Sequence, residues 1–250
     1  MSDSTTPLEE PPVAEVRYSG ERNEYIILGN KKYARNELMT AFGGTLNPGL
    51  SPYPTNSFAN PAPLGLAAFA FSTFALSLYN SQAMGITVPN VVVGAACFYG
   101  GAVQFLAGMW ELLLGNTFGG TALTSYGAFW LSYAAIFIES FGITAAYEDK
   151  EMLSNAIGFF LIGWAIVTFM LCLATMKSTL AFFSLFFFLT ITFILLAGGE
   201  FSGKVGVSRA GGVFGVITSI IAWYNAFAGA SNRQNSYITC HPLPLIRSKK

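Results

Sequence analysis

In the run GGAVQFLAGMWELLLGN, Gly100, Gln104, Gly108 and Glu111 fall at helical spacing on one face, so an amide and a carboxylate share a stripe with two glycines. A carboxamide offers N–H donors and an acceptor, and a carboxylate takes a proton or a cation. The glycines let a second helix approach and leave both polar groups unobstructed. Groups of this kind in an apolar helix face a bundle interior or a water-filled path. The plainer alternatives are that Gln104 bonds a neighbouring helix and that Glu111, near the end of its segment, reaches interfacial water; for Glu111 the structural role is the preferred one. Downstream, Thr121, Thr124, Ser125 and Tyr126 cluster hydroxyls in an equally apolar setting. Tyr126 and Trp130 would suit an interfacial aromatic belt, but the clustering favours a face turned to polar cargo at least as well.

A second constellation is Asn60, Pro61, Ala62, Pro63, Leu64 and Gly65, at the front of a long apolar run. Asn60 can cap a helix there, Pro61 suits the first helical position, and Pro63 still lies in the first turn. Those N–H groups have no intrahelical partner in any case, so the prolines start the helix rather than break it. A helix N-terminus also carries partial positive charge that suits a small anion.

These groups need a membrane domain to position them. Of 250 residues 53% are hydrophobic and only 10% charged, with 23 phenylalanines and no net charge. Soluble domains carry about 25% charged residues, so the chain is a membrane protein, and no basic field invites nucleic acid. Six apolar segments near the ~20 residues that span a bilayer cover 63–79, 91–114, 121–145, 156–175, 180–198 and 212–229. Breakers separate them, among them Glu148–Glu151 and a glycine-rich stretch at 198–212. None of the six segments contains Lys or Arg, so a passing anion would depend on neutral donors and helix ends. The expected fold is all-α, with a polar tail at 1–59, a six-helix domain at 60–230 and a second tail at 231–250. Within the first tail, residues 25–50 suit a short strand and an amphipathic turn on the membrane face. Ten of the 13 Lys and Arg fall on one side if both tails share it, against Lys150, Lys204 and Arg209 on the other, which puts both tails in the cytoplasm. Glu139 then lies near the outer mouth.

Catalysis finds no support. The single histidine, His241, is in the C-terminal tail, and neither a metal-ligand cluster nor a nucleophile–base pair is apparent. No cofactor is expected, and Cys97, Cys172 and Cys240 suggest no disulfide.

The motifs AFGGTLNPGL from Ala41, NPAPLGL from Asn60 and FYGGAVQFLAGMWELLLGNTFGGTALTSYGAFW from Phe98 resemble the acetate uptake transporter family, and the tails resemble its fungal branch. The resemblance implies a six-helix protomer in a homohexamer, each protomer passing acetate and related short monocarboxylates as a proton-coupled carrier or an anion channel. It also implies a hydrophobic constriction, matched here by Phe69, Tyr126 and Leu189, with Leu185 an alternative to the last. Phe69 is expected on the α-helical face of Gly65 and Ser72. Asn60, the first-turn N–H groups, Gln104, Thr121, Thr124 and Ser125 are the expected carboxylate ligands beside that gate. The expected membrane is the plasma membrane. Two other readings stand beside this one: ammonia or ammonium export, for which Glu111 and Glu139 are the candidate intramembrane carboxylates, and a non-transporting membrane sensor acting through its tails.

Overall fold

The computed structural model describes residues 16–20, 23–41, 58–240 and 243–245. It divides into two units, residues 1–58 and 59–250. The AFGGTLNPGL motif, apart from Ala41, lies outside the described residues.

In the first unit, β1 (Val16–Ser19), β2 (Tyr25–Leu28) and β3 (Lys31–Ala34) form an antiparallel sheet in that order. Leu28 pairs with Lys31 across a two-residue turn, where Gly29 supplies a φ of 59°. The chain then passes directly into α1 (Arg35–Ala41). The expected single strand is therefore three, and the chain as a whole is mostly helical rather than all-α. The misjudgement arose because alternation over four residues is a weak signal in a polar tail.

The second unit contains α2 (Ala62–Asn80), α3 (Val92–Cys97), a π-helical turn at Phe98–Val103, α4 (Gln104–Leu113), α5 (Thr117–Phe137), α6 (Lys150–Ala174), α7 (Leu180–Ser202) and α8 (Val205–Ala230). Side chains start three of these helices: Asn116 accepts from Gly119 N, Asp149 from Glu151 N and Thr179 from Phe182 N. Five stretches among the described residues are long and apolar enough to cross a membrane, namely α2, Val92–Leu113, α6, α7 and α8. The 21 residues of α5 are long enough, but hydroxyls and glycines interrupt their apolar character.

Several boundaries depart from expectation. The third segment begins at Thr117 and ends at Phe137, because Asn116 caps it and Ile138 turns extended. The glycine-rich stretch does not break the chain into a loop. Instead α7 runs on to Ser202, Gly203 turns with a φ of 61°, and α8 begins at Val205. Its other glycines serve packing, since a Cβ at Gly199 would lie 3.1 Å from the backbone N of Ser208. Glu200 and Arg209 accordingly belong to helices, not to a connection.

The α2, α8, α7 and α6 helices pack in that order, and α4 packs on α5. Across from α6 and α7, α5 makes its contacts through rings: Phe129 stacks on Phe160 at 5.8 Å and meets Phe193 at 5.3 Å, while Phe118 meets Phe182 at 5.6 Å. Large side chains hold these backbones apart and leave space between them. Near the end of the chain, Leu180 N donates to Leu243 O and Leu245 N to Ser178 O, so part of the C-terminal tail is strapped to the α6–α7 connection.

Candidate functional site

The space between α5 and its neighbours forms two cavities. The first, about 180 Å³, is reached past Ala62, Asn116 and Phe182 and is walled deeper in by Leu66, Gln104, Tyr126 and Leu185. The second, about 90 Å³, is lined by Thr73, Asn80, Trp130, Tyr133, Leu189 and Glu200 among others. Phe69 lines both. Its ring centroid is 5.4 Å from that of Tyr126, which lines the first. Leu185 belongs to the first cavity and Leu189, one turn on, to the second, so each flanks the aromatic pair from its own side.

The face of α2 that does this is Ala62, Leu66, Phe69, Thr73, Leu76 and Asn80. It was readable from Phe69 by i, i+4 and i+7 spacing. Ser72, expected beside Phe69, instead points at Gly100, where a Cβ would lie 2.4 Å from Ser72 Oγ.

Gln104 is 0% exposed, lines the first cavity, and has no hydrogen-bond partner at either Nε2 or Oε1. A buried amide left unpaired costs about 1–3 kcal/mol, and native interiors rarely tolerate that without a use or a bound water. At about 30 Å³ per water, the adjoining space takes several waters or one short organic acid.

Asn60 is exposed, and its Oδ1 accepts from Ala62 N at 2.9 Å. Pro61 stands at the cap position and Ala62 begins the helix, one residue later than expected. Pro61 and Pro63 carry no N–H and Ala62 spends its own on Asn60, so Leu64 supplies the turn's remaining donor. The helix end is therefore satisfied largely from within.

Glu111 is buried, and Asn116 Nδ2 donates to its carboxylate while Asn116 Oδ1 caps α5. It does not reach interfacial water from this position. Thr121 is exposed, Thr124 and Ser125 are half-buried, and none of the three lines either cavity; the Thr124 hydroxyl lies beside Gly108 on α4. Glu139 sits exposed in a 3₁₀ turn at Glu139–Phe141, away from both cavities.

Three lining or supporting residues escaped the sequence. Trp130 Nε1 and Thr73 Oγ1 are buried without partners beside the second cavity, and Glu200 closes its far end. Thr168 accepts from the Tyr126 hydroxyl at 2.9 Å. Trp130 had a belt-like composition signal, and Thr73 was legible from the α2 stripe. Glu200 was hidden by the misplaced loop.

Two cavities set end to end among membrane-length helices, pinched by an aromatic pair and provided with unpaired buried donors, define a membrane transport protein. The chain belongs to the GPR1/FUN34/yaaH family, whose model matches residues 42–247. It is 59% identical over 239 residues to "Ammonia transport outward protein 2" of Saccharomyces cerevisiae, covering 95% of this chain and 85% of the other. It is 46% identical over 215 residues to "Acetate permease A" of Emericella nidulans, covering 81% and 72%. Among solved structures it resembles that described as the bacterial acetate channel SatP, with a TM-score of 0.65 and 36% identity over 72% of this chain and 96% of that one. The chain is thus of the acetate transporter family, in its fungal branch, and is not an enzyme.

Proposed function

We propose that this protein carries acetate and related short monocarboxylates across the plasma membrane along the two cavities, through a constriction of Phe69, Tyr126 and Leu189. The observation that carries the reading is Gln104, whose unpaired amide faces a cavity of carboxylate size. Its Nε2 donates to a carboxylate oxygen, and its Oε1 accepts from the acid's O–H when the proton travels too. Beyond the rings, Trp130 Nε1 and Thr73 Oγ1 offer the next donors. Asn60 remains at the mouth beside Ala62 as the residue that orders the helix start. Thr121, Thr124 and Ser125 act as ligands only if the α5 helix turns.

In this reading α5 is the sixth span, since 21 residues at ~1.5 Å each give about 30 Å. Both termini lie in the cytoplasm, and the protomers form a homohexamer. Gln104→Leu is the sharpest local test. Acetate uptake is expected to fall at least roughly tenfold while thermal stability in detergent holds or rises, because an unpaired buried amide has been removed. Uptake at the wild-type level would sink the assignment.

Carrier and channel are separated by labelled acetate uptake into liposomes holding the purified protein, under an imposed pH gradient and, separately, an imposed voltage. Uptake driven by the pH gradient alone means co-transport with a proton. Voltage-driven flux that ignores the gradient means an anion channel.

Ammonium export is the second reading, favoured by one feature. Glu200 shares the second cavity with the rings of Phe129, Trp130, Tyr133, Phe137 and Phe193, a setting that suits a small cation. Under it, liposomes move labelled methylammonium and Glu200→Gln abolishes that flux. Methylammonium excluded from wild-type liposomes that take up acetate removes this reading.

A further inference from the structure

We propose that Thr168, on α6, is a positioning residue that sets how tightly the constriction closes, by holding the hydroxyl of Tyr126. The inference rests on the reading of the two cavities as a path for carboxylic acids. Thr168 is fully buried and lines neither cavity. It meets Tyr126 from a different helix, 42 residues away in sequence.

The direction of the two hydrogen bonds matters. Thr168 Oγ1 donates its only proton to the backbone oxygen of Trp164, one turn earlier, at 2.7 Å. Towards Tyr126 it is therefore an acceptor, and the tyrosine O–H must donate to it, at 2.9 Å. The ring itself is held only by other rings: Phe69 at 5.4 Å, Trp164 at 6.1 Å and Phe186 at 6.3 Å between centroids. Such contacts tolerate sliding and tilting. A hydrogen bond in a dry interior does not, because its strength falls steeply with angle and an abandoned O–H there stays unpaired. The bond to Thr168 thus fixes the swing of Tyr126 against Phe69, and the first cavity, which Tyr126 lines, is the space the ring enters once released.

The substitutions at the two ends of this bond are not equivalent. Thr168→Val keeps the shape but leaves the Tyr126 O–H without an acceptor, which is the costly side to lose. Tyr126→Phe removes the donor and leaves Thr168 still bonded to Trp164. Thr168→Ser keeps the acceptor.

The experiment is uptake of labelled acetate and of labelled butyrate into liposomes containing the full chain, read as the butyrate-to-acetate ratio. Thr168→Val is expected to raise the ratio roughly tenfold and Tyr126→Phe about threefold, with Thr168→Ser at the wild-type value. The double variant Thr168→Val with Tyr126→Phe falls back to the Tyr126→Phe value, since no O–H is then stranded. A packing role for Thr168 would show no such repair. A double variant as permissive as Thr168→Val overturns the proposal, as does a wild-type ratio in Tyr126→Phe, which decides the matter even if Thr168→Val does not fold. Wild-type protein that moves no acetate would overturn the pathway reading, and this inference with it; acetate flux with all ratios unchanged overturns only the role of Thr168.

Discussion

Phe69→Ala is expected to join the two cavities into one and to let longer acids through. The Phe69 ring is the only side chain that lines both spaces among those described, and it is buried against Tyr126 at 5.4 Å. Without it, cavities of about 180 and 90 Å³ become continuous over the width of a phenyl group. A narrow apolar ring bars hydrated solutes by dewetting, and a wider one does not. Pockets discriminate against an extra methylene by roughly 10–200-fold when closely fitted. Loss of the ring should therefore raise lactate or succinate uptake relative to acetate by at least about tenfold. Leu189→Ala, at one flank of the pair, should act in the same direction and more weakly. Uptake of the three acids into liposomes measures both, and unchanged selectivity in both variants would refute the gate. Deleting a buried phenylalanine typically costs about 3–5 kcal/mol. Here the lower end is expected, because the ring already borders open space on two sides.

Gly127→Val should leave little folded protein. A Cβ at Gly127 would lie 2.7 Å from both the backbone N and the Cα of Phe105, and one at Gly108 would lie 2.3 Å from the backbone N of Thr124. No side chain can move aside for either, so α4 and α5 must separate along their length. Overpacking usually costs about 1–3 kcal/mol, and a clash with backbone on a rigid helix pair exceeds that range. The same contact sets the spacing between Gln104 on α4 and Tyr126 on α5, so milder changes such as Gly108→Ala should impair uptake before they abolish folding. Gly163→Ala is the control, since nothing lies within 4 Å of its would-be Cβ. It should be neutral or stabilising by up to about 1 kcal/mol. Elution profile and thermal unfolding in detergent separate the three. A Gly127→Val protein that elutes and melts like wild type would show that the two helices have room to spare.

What could be read from the chain before its structure follows from how membrane helices are encoded. Length and apolarity located the helices, and the proline-flanked start of α2 was legible because capping depends on local residues alone. Facing was harder. A helix such as α7, apolar on every side, carries no periodic contrast to show which residues meet protein and which meet lipid. Leu185 and Leu189 could not be ranked for that reason, and the structure gives each a side of the rings. Thr124 and Ser125 drew attention as hydroxyls, yet the α5 stripe that lines the cavity is Gly119, Ala122, Leu123 and Tyr126. Glycine misled differently. In water it breaks helices, but in a bilayer small residues mark where helices touch, and reading Gly198–Gly212 as a break took Glu200 out of the bundle. Thr168 had no sequence signal, because its importance lies in a bond between α5 and α6.

The widened turn at Phe98–Val103 makes the length of the second span, and not only its composition, a functional quantity. A π turn holds roughly one residue more than an α turn. Losing one residue there lets the helix close into ordinary α-helix with every backbone group still paired. All that follows would then be rotated by about 100° relative to what precedes it. Gln104, the first residue after the turn, would face away from the cavity while the span still crossed the membrane. Three nucleotides deleted in frame, with no clash and no misplaced charge, are thus enough to yield a protein that inserts and assembles but stays silent.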